Sequence, residues 1–196
     1  VSEGRFLDIG CGLGGTLACF QAHGWEAQGI DPDPNTKPFH ERQGLQTSIG
    51  RFDERFQEKS FDLIGIAHAI YFIEDPRTFV QQVRRSLSTQ GYFVIVSTHL
   101  LSSMGAGRPG LAHTWYPTCN SLIFLLEQEG FEIIAQKSLK GSDLLLARIS
   151  APRAARGQPR RAWWAHKTQQ LRYQTLGRLL LLGLNVVRSL RKIWKK

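Results

Sequence analysis

Residues 6–15, FLDIGCGLGG, set an aspartate inside an apolar run and follow it with four glycines in six positions. Read along the chain, this is a short buried strand, a sharp turn and the start of a helix. Gly10, Gly12 and Gly14 fall where the main chain must reverse and can approach a ligand with no side chain between. The helix that follows offers unpaired N–H groups and a positive end. A strand feeding a helix through such a turn commits this part of the chain to an α/β arrangement.

The same alternation continues downstream. Strands are predicted over 5–9, 26–30, 45–49, 61–67, 91–98, 131–139 and 143–149, and helices over 14–23, 37–43, 75–87 and 118–129. Asp75 is the expected N-cap of the third helix, with Pro76 in its first position. Alternation through residue 98 calls for a parallel sheet with helices on both faces. The last two strands are joined only by Lys140-Gly141-Ser142, a link that permits an antiparallel hairpin and nothing else. The expected fold is a doubly wound, mostly parallel seven-stranded sheet with an antiparallel C-terminal hairpin strand.

A chain of 196 residues, 42% hydrophobic and 21% charged, suits one soluble domain with a sizeable core. The net charge of +9 is unevenly placed: residues 151–196 hold 12 of the 25 Lys and Arg and none of the 16 acids, which leaves −3 on residues 1–150. Any contact with a polyanion is therefore expected in the tail. Cys11, Cys19 and Cys119 are odd in number and lack C-x-x-C spacing, which argues against a disulfide framework or a zinc site. No metal is expected, and a reducing, cytoplasmic setting is the default. Residue 1 is Val and the first strand starts almost at once, so the chain is expected to begin inside a longer one.

Two ligand readings compete at the glycine turn. Gly10-x-Gly12-x-x-Gly15 satisfies a dinucleotide fingerprint, with Asp31 about 20 residues on, where a ribose hydroxyl would be held. Asp8 weighs against it, because a carboxylate at the end of a buried strand costs several kcal/mol unless paired. A pyrophosphate gains nothing from a second anion beside it. A ligand carrying an ammonium and a sulfonium does gain, which favours S-adenosylmethionine.

Five ordered blocks carry a resemblance: Asp8-Ile9-Gly10-Cys11-Gly12-Leu13-Gly14, Gly29-Ile30-Asp31, Ser60-Phe61-Asp62-Leu63-Ile64, Glu74-Asp75-Pro76 and Leu87-Ser88-Thr89-Gln90-Gly91. Over residues 4–149 the chain resembles the class I S-adenosylmethionine-dependent methyltransferases. It is most similar to the branches that act on small molecules, quinones, sugars or lipid-linked glycans, in which blocks like His113-Thr114-Trp115-Tyr116 and Gly130-Phe131 follow the fifth strand. The resemblance implies that Asp8 and the loop carrying Gly10, Cys11, Gly12 and Gly14 line the methionine portion of the cofactor. It implies that Asp31, followed by Pro32, accepts from the ribose hydroxyls, that Arg51 and Phe52 lie by the adenine, and that Ala67 and His68 face cofactor and substrate.

Methyl transfer to a hydroxyl wants a base, and histidine titrates in the useful range. His68, His99 and His113 fall at or just after the ends of the fourth and fifth strands, the side on which open α/β sheets bind ligands. His68 is the first candidate and His113 the second; the bland alternative for each is a histidine bonded to backbone. For Cys11 the expectation is a small loop filler, and an Asx turn before Pro32 is the plain alternative for Asp31. No Asn-Pro-Pro-Tyr or Asp-Pro-Pro-Tyr follows the fourth strand, where Ala67-His68-Ala69-Ile70 stands instead, so a base-methylating enzyme is disfavoured.

Residues 151–167 read as a Pro-, Ala- and Arg-rich linker, and residues 168–196 as a basic amphipathic helix. At 100° per residue Leu176, Leu179, Leu182, Val186, Val187, Leu190, Ile193 and Trp194 share one side, opposite Arg178, Arg188, Lys192, Lys195 and Lys196. Such a helix suits an anionic membrane surface, with packing on protein as the competing reading and nucleic acid the least favoured. The overall reading is O-methylation of a small or lipid-linked hydroxylated acceptor. A cofactor-binding module without catalysis and an NAD-dependent oxidoreductase are the rivals.

Overall fold

The computed structural model describes residues 4–57, 61–98, 115, 117–139 and 142–150. Seven strands form one sheet in the order β3-β2-β1-β4-β5-β7-β6. They are β1 (Arg5–Ile9), β2 (Glu26–Asp31), β3 (Gln46–Ile49), β4 (Phe61–Ala67), β5 (Leu87–Thr98), β6 (Phe131–Leu139) and β7 (Ser142–Ile149). The first five are parallel, while β7 enters between β5 and β6 and runs antiparallel to both. This is the arrangement expected from the short link after residue 139.

The helices are α1 (Gly15–Ala22), α2 (Lys37–Arg42), α3 (Pro76–Ser86) and α4 (Cys119–Gln128). Asp75 caps α3 as the sequence implies: its carboxylate accepts from the N–H groups of Arg77 and Thr78 at 3.1 Å each and from the Thr78 hydroxyl at 2.7 Å. Such a cap stabilises a helix by about 1 kcal/mol. At α4 Thr118 and Ser121 exchange bonds in a reciprocal capping box.

Period-two alternation along the strands separates two cores. Leu7, Ile9, Ile30, Ile64, Ile66, Phe93, Ile95 and Leu145 point to one face, where Phe79, Val80 and Val83 of α3 and Leu122 and Leu126 of α4 cover them. On the other face Phe6 and Ala27 meet Leu17 and Cys11 under α1, with Phe6 stacked on Phe20 at 4.0 Å between centroids. The largest boundary shift is at the start of β5, read from residue 91 and found from Leu87. Leu87, read as the last helical residue, is extended and pairs with Phe61 across a bulge, because burying its side chain at 6% exposure favours the sheet over another helical turn.

Strand order reverses between β1 and β4. The connection after β1 leads towards β2 on one side, and β4 lies on the other, so the loops leaving their C-terminal ends diverge. A crevice opens there, as it does at such switch points generally.

Candidate active site

A cavity of about 750 Å³ occupies this crevice. Ile9 and Gly10 line it from β1, Asp31 and Pro32 from β2, Arg51 and Phe52 from beyond β3, and Ala67, His68, Ala69 and Phe72 from beyond β4. Of the five parallel strands, four build this wall at or just beyond their C-terminal ends. Gly10 has φ +72°, and a Cβ there would stand 2.7 Å from Cβ of Ala69, so only glycine lets the two diverging loops come this close.

Asp31 is nearly buried and held by main chain on both oxygens. The N–H of Gly12 donates to Oδ2 at 2.8 Å and the N–H of Asp33 donates to Oδ1 at 2.9 Å. The second bond is the Asx turn named as the plain alternative; the first ties the acid to the glycine loop. An ionised carboxylate has about four acceptor sites, so each oxygen can take a further hydroxyl.

Asp8 shares the β1 face with Phe6, towards α1, as strand alternation requires once Leu7 and Ile9 face α3, and it is not among the residues that line the cavity. Only 4% exposed, its carboxylate accepts no hydrogen bond from the described residues. Burial first, and the charge of Asp31 second, push its pKa up to about 7. The acid is thus a buried group half-way to neutrality, and a nearby cation would draw it back to the charged form.

Gly12 and Gly14 are absent from the cavity wall as well. Gly14 has φ +83° and leads into α1, and a Cβ there would collide with Leu45 Cδ1 of the segment before β3. The side chain of Cys11 turns into the core beneath the loop, and burial followed by Asp8 and Asp31 pushes its thiol up to about 12. It is a protonated filler, as expected, and its main chain shapes the turn: the N–H of Gly14 donates to its carbonyl at 2.9 Å.

On the β4 side His68 stands in the left-handed region at φ 54°, a conformation that costs a non-glycine residue of order 1 kcal/mol and concentrates at functional sites. Its N–H donates to the Val96 carbonyl at 2.8 Å, so the ladder between β4 and β5 continues up to the residue that lines the cavity. Nδ1 lies 2.9 Å from Thr98 Oγ1 and 3.1 Å from Tyr71 Oη, and these two oxygens are 2.9 Å apart. Among the described residues Nε2 has no such partner. With the proton on Nδ1, donated to Thr98, the lone pair of Nε2 is left for a ligand.

Phe52 lines the cavity with its ring stacked on Phe56 at 5.4 Å and edge-on to Phe79 at 5.7 Å. Arg51 reaches across to Glu74 in a 2.7 Å ion pair between two exposed side chains that both line the cavity. His99, His113 and the predicted tail helix over 168–196 lie outside the described residues. Trp115, from the same block as His113, donates from Nε1 to the Ile70 carbonyl at 3.1 Å. Tyr71 and Thr98 were not singled out by sequence. Only the β4–β5 register, which sets Ala67 beside Val96, brings Thr98 level with the loop that carries His68.

Comparison with known proteins adds an independent line. A family model described as a methyltransferase domain matches residues 1–136. YcgJ of Bacillus subtilis, an uncharacterized methyltransferase, is 30% identical over 105 residues, 48% of this chain and 41% of its own. The match spans less than half the length of that relative. Among solved structures, the PH0226 protein from Pyrococcus horikoshii shares the fold with a TM-score of 0.64 at 19% identity, over 76% of this chain and 83% of that one. The glycopeptide N-methyltransferase MtfA, solved with S-adenosylmethionine, does so with 0.59 at 18%, over 76% and 88%.

Proposed function

The chain belongs to the methyltransferase-domain family on the class I fold, and from that premise we propose that it moves the methyl group of S-adenosylmethionine to a hydroxyl of a small or lipid-linked acceptor. The observation that supports this best is the contrast between two buried carboxylates at neighbouring strand ends. Asp31 is held by main chain with acceptor capacity to spare, and Asp8 has no partner among the described residues. The first suits ribose hydroxyls, and the second gains from a cation close by. A pyrophosphate would meet charge of its own sign.

When bound, S-adenosylmethionine supplies an electrophilic methyl carbon on a positively charged sulfur. Gly10 and Pro32 would wall the nucleoside, Arg51 and Phe52 would border its adenine end, and Ala67 would leave room beside His68 for the acceptor. Holding nucleophile and methyl carbon in line within about 3–3.5 Å can supply much of the rate. His68 Nε2 would take the proton of the acceptor hydroxyl, to which bound S-adenosylmethionine would supply the methyl carbon. Thr98 and Tyr71 hold Nδ1 and thereby the ring.

The domain over 1–150, the linker over 151–167 and a basic helix over 168–196 fit a cytoplasmic enzyme attached to an anionic membrane surface. Each Lys or Arg near such a surface contributes roughly 1 kcal/mol. No helix among the described residues is long and apolar enough to cross a membrane. Flotation with anionic liposomes at low salt tests the attachment, which fails if the intact protein stays in the soluble fraction.

Calorimetric titration with S-adenosylhomocysteine and, separately, with NADH tests the core of the proposal. Binding of the first and none of the second is the expected result. The reverse would install the oxidoreductase reading. Homocysteine-nucleoside binding without turnover on hydroxylated acceptors would leave a binding module.

A further inference from the structure

We infer that His40 is a positioning residue for the glycine loop, clamping the Gly12 peptide from the side opposite Asp31. The inference rests on the cofactor assignment proposed above for what the loop binds, but the clamp itself is read from the fold. His40 lies on α2 and is 1% exposed. Its Nε2 is 2.7 Å from the carbonyl oxygen of Gly12, and its Nδ1 is 2.9 Å from Oγ1 of Thr47 on β3. The contact with Gly12 spans 28 residues of sequence.

Donor and acceptor accounting fixes the roles. A carbonyl only accepts, so Nε2 carries the proton and donates; in a neutral ring Nδ1 then accepts, and the Thr47 hydroxyl donates to it. Gly12 is held at both ends of its residue: its N–H donates to Asp31 Oδ2 at 2.8 Å, and its carbonyl receives His40. A chain of bonds therefore runs from β3 through α2 and the loop to the acid at the end of β2. Gly14 closes against the same ring, since a Cβ there would come within 3.2 Å of His40 Cδ2.

The loop needs such a clamp. Gly10, Gly12 and Gly14 all have positive φ, and glycines lose more freedom than other residues when ordered. Ordering that is complete before the ligand arrives does not count against affinity. His40 holds the loop in the form that presents Gly12 to Asp31 and leaves the outer lone pairs of Asp31 for the ligand.

Two amides dissect the ring. Glutamine carries its amide nitrogen at the reach of Nε2, and asparagine only at the reach of Nδ1. His40→Gln is expected to bind S-adenosylhomocysteine within about threefold of the parent, and His40→Asn about tenfold more weakly or worse, a loss scaled to one buried hydrogen bond. The KM for the acceptor stays the same in both. Amide hydrogen exchange of the ligand-free protein, below its melting range, is expected to speed up at Gly12 in His40→Asn and to stay slow in His40→Gln.

Equal affinities and equal exchange in the two variants would overturn the inference. If His40→Asn does not fold, Thr47→Val answers instead: about threefold weaker binding with faster exchange at Gly12 supports the clamp, and no change in either overturns it. A parent protein that ignores S-adenosylhomocysteine would defeat the cofactor assignment alone. The exchange comparison would still decide the role of His40.

Discussion

The two sides of the cavity are built by different means. On the β1–β2 side the working groups are main chain and buried polar side chains: Asp8 and Asp31 are at or below 9% exposure, His40 at 1%, and each bond to the glycine loop is made before any ligand is present. On the β4–β5 side the groups that face the cavity are side chains at the surface, with His68 exposed and Phe72 at 47%, while Tyr71 behind His68 is buried. The first side is preorganised for one constant ligand. The second can change its exposed side chains without disturbing the sheet, and on the proposed function acceptor choice would belong there.

The largest expected effect tests whether the chemistry sits on the exposed side alone. His68→Ala is expected to lower kcat by about 10²–10⁴, the usual range for a general base, while the dissociation constant for S-adenosylhomocysteine stays within twofold. Steady-state kinetics beside calorimetry reads both. Equal losses in kcat and in affinity would mean that the two sides are one unit.

Next comes the pH dependence of Asp8. Its folded-state pKa of about 7 stands above the ordinary 3.8, so between those values the folded protein holds a proton that the unfolded chain has released. Stability rises with pH only where the unfolded state binds more protons. Here the folded state binds more, and the unliganded protein loses stability as pH rises from about 4 to 7, by up to about 4 kcal/mol from this group. Denaturation midpoints across that range are expected to fall in the parent and to fall less in Asp8→Asn. Parallel curves would remove Asp8 from the account.

Much of this contrast is legible in the sequence, and unevenly so. β1 and β4 run over the residues expected because each is an apolar run bounded by polar or glycine signals, and Asp75 is visible because a cap is a local bond. Asp31 is legible for a similar reason: it ends a strand beside a proline. That Asp8 shares a face with Phe6 follows from alternation with Leu7 and Ile9, a signal present in the sequence. His40, Tyr71 and Thr98 could not be found this way. Beside nearer partners, each has one 28, 27 or 30 residues distant, and side-chain bonds over such separations are set by how helices and strands stack, which local patterning does not record.

Asp31→Ala comes third. Losing a charged acceptor for two ribose hydroxyls, together with the bond from Gly12, is expected to weaken S-adenosylhomocysteine binding about 100-fold, or roughly 3 kcal/mol on the scale of bonds to charged groups. His68-dependent chemistry at saturating cofactor is expected to persist. If kcat collapses as far as affinity, the preorganised side also governs the reaction, and the division between the two sides is too sharp.

The smallest effect probes the seam between them. Thr98 sits at the end of β5 with its hydroxyl on His68 Nδ1 and its N–H donated to Tyr71 Oη at 3.2 Å. Thr98→Val keeps the shape and the N–H bond and removes only the hydroxyl, so the imidazole loses the nearer of the two oxygens that hold Nδ1 and keeps Tyr71 Oη at 3.1 Å. One such bond contributes about 1 kcal/mol, which predicts a roughly fivefold lower kcat with unchanged acceptor KM and unchanged cofactor affinity. Thr98→Ser restores the oxygen at the same place and is expected to restore the rate. A merely structural hydroxyl would lower the melting temperature in Thr98→Val and leave kcat alone, whereas a positioning one moves kcat at temperatures where both variants are fully folded.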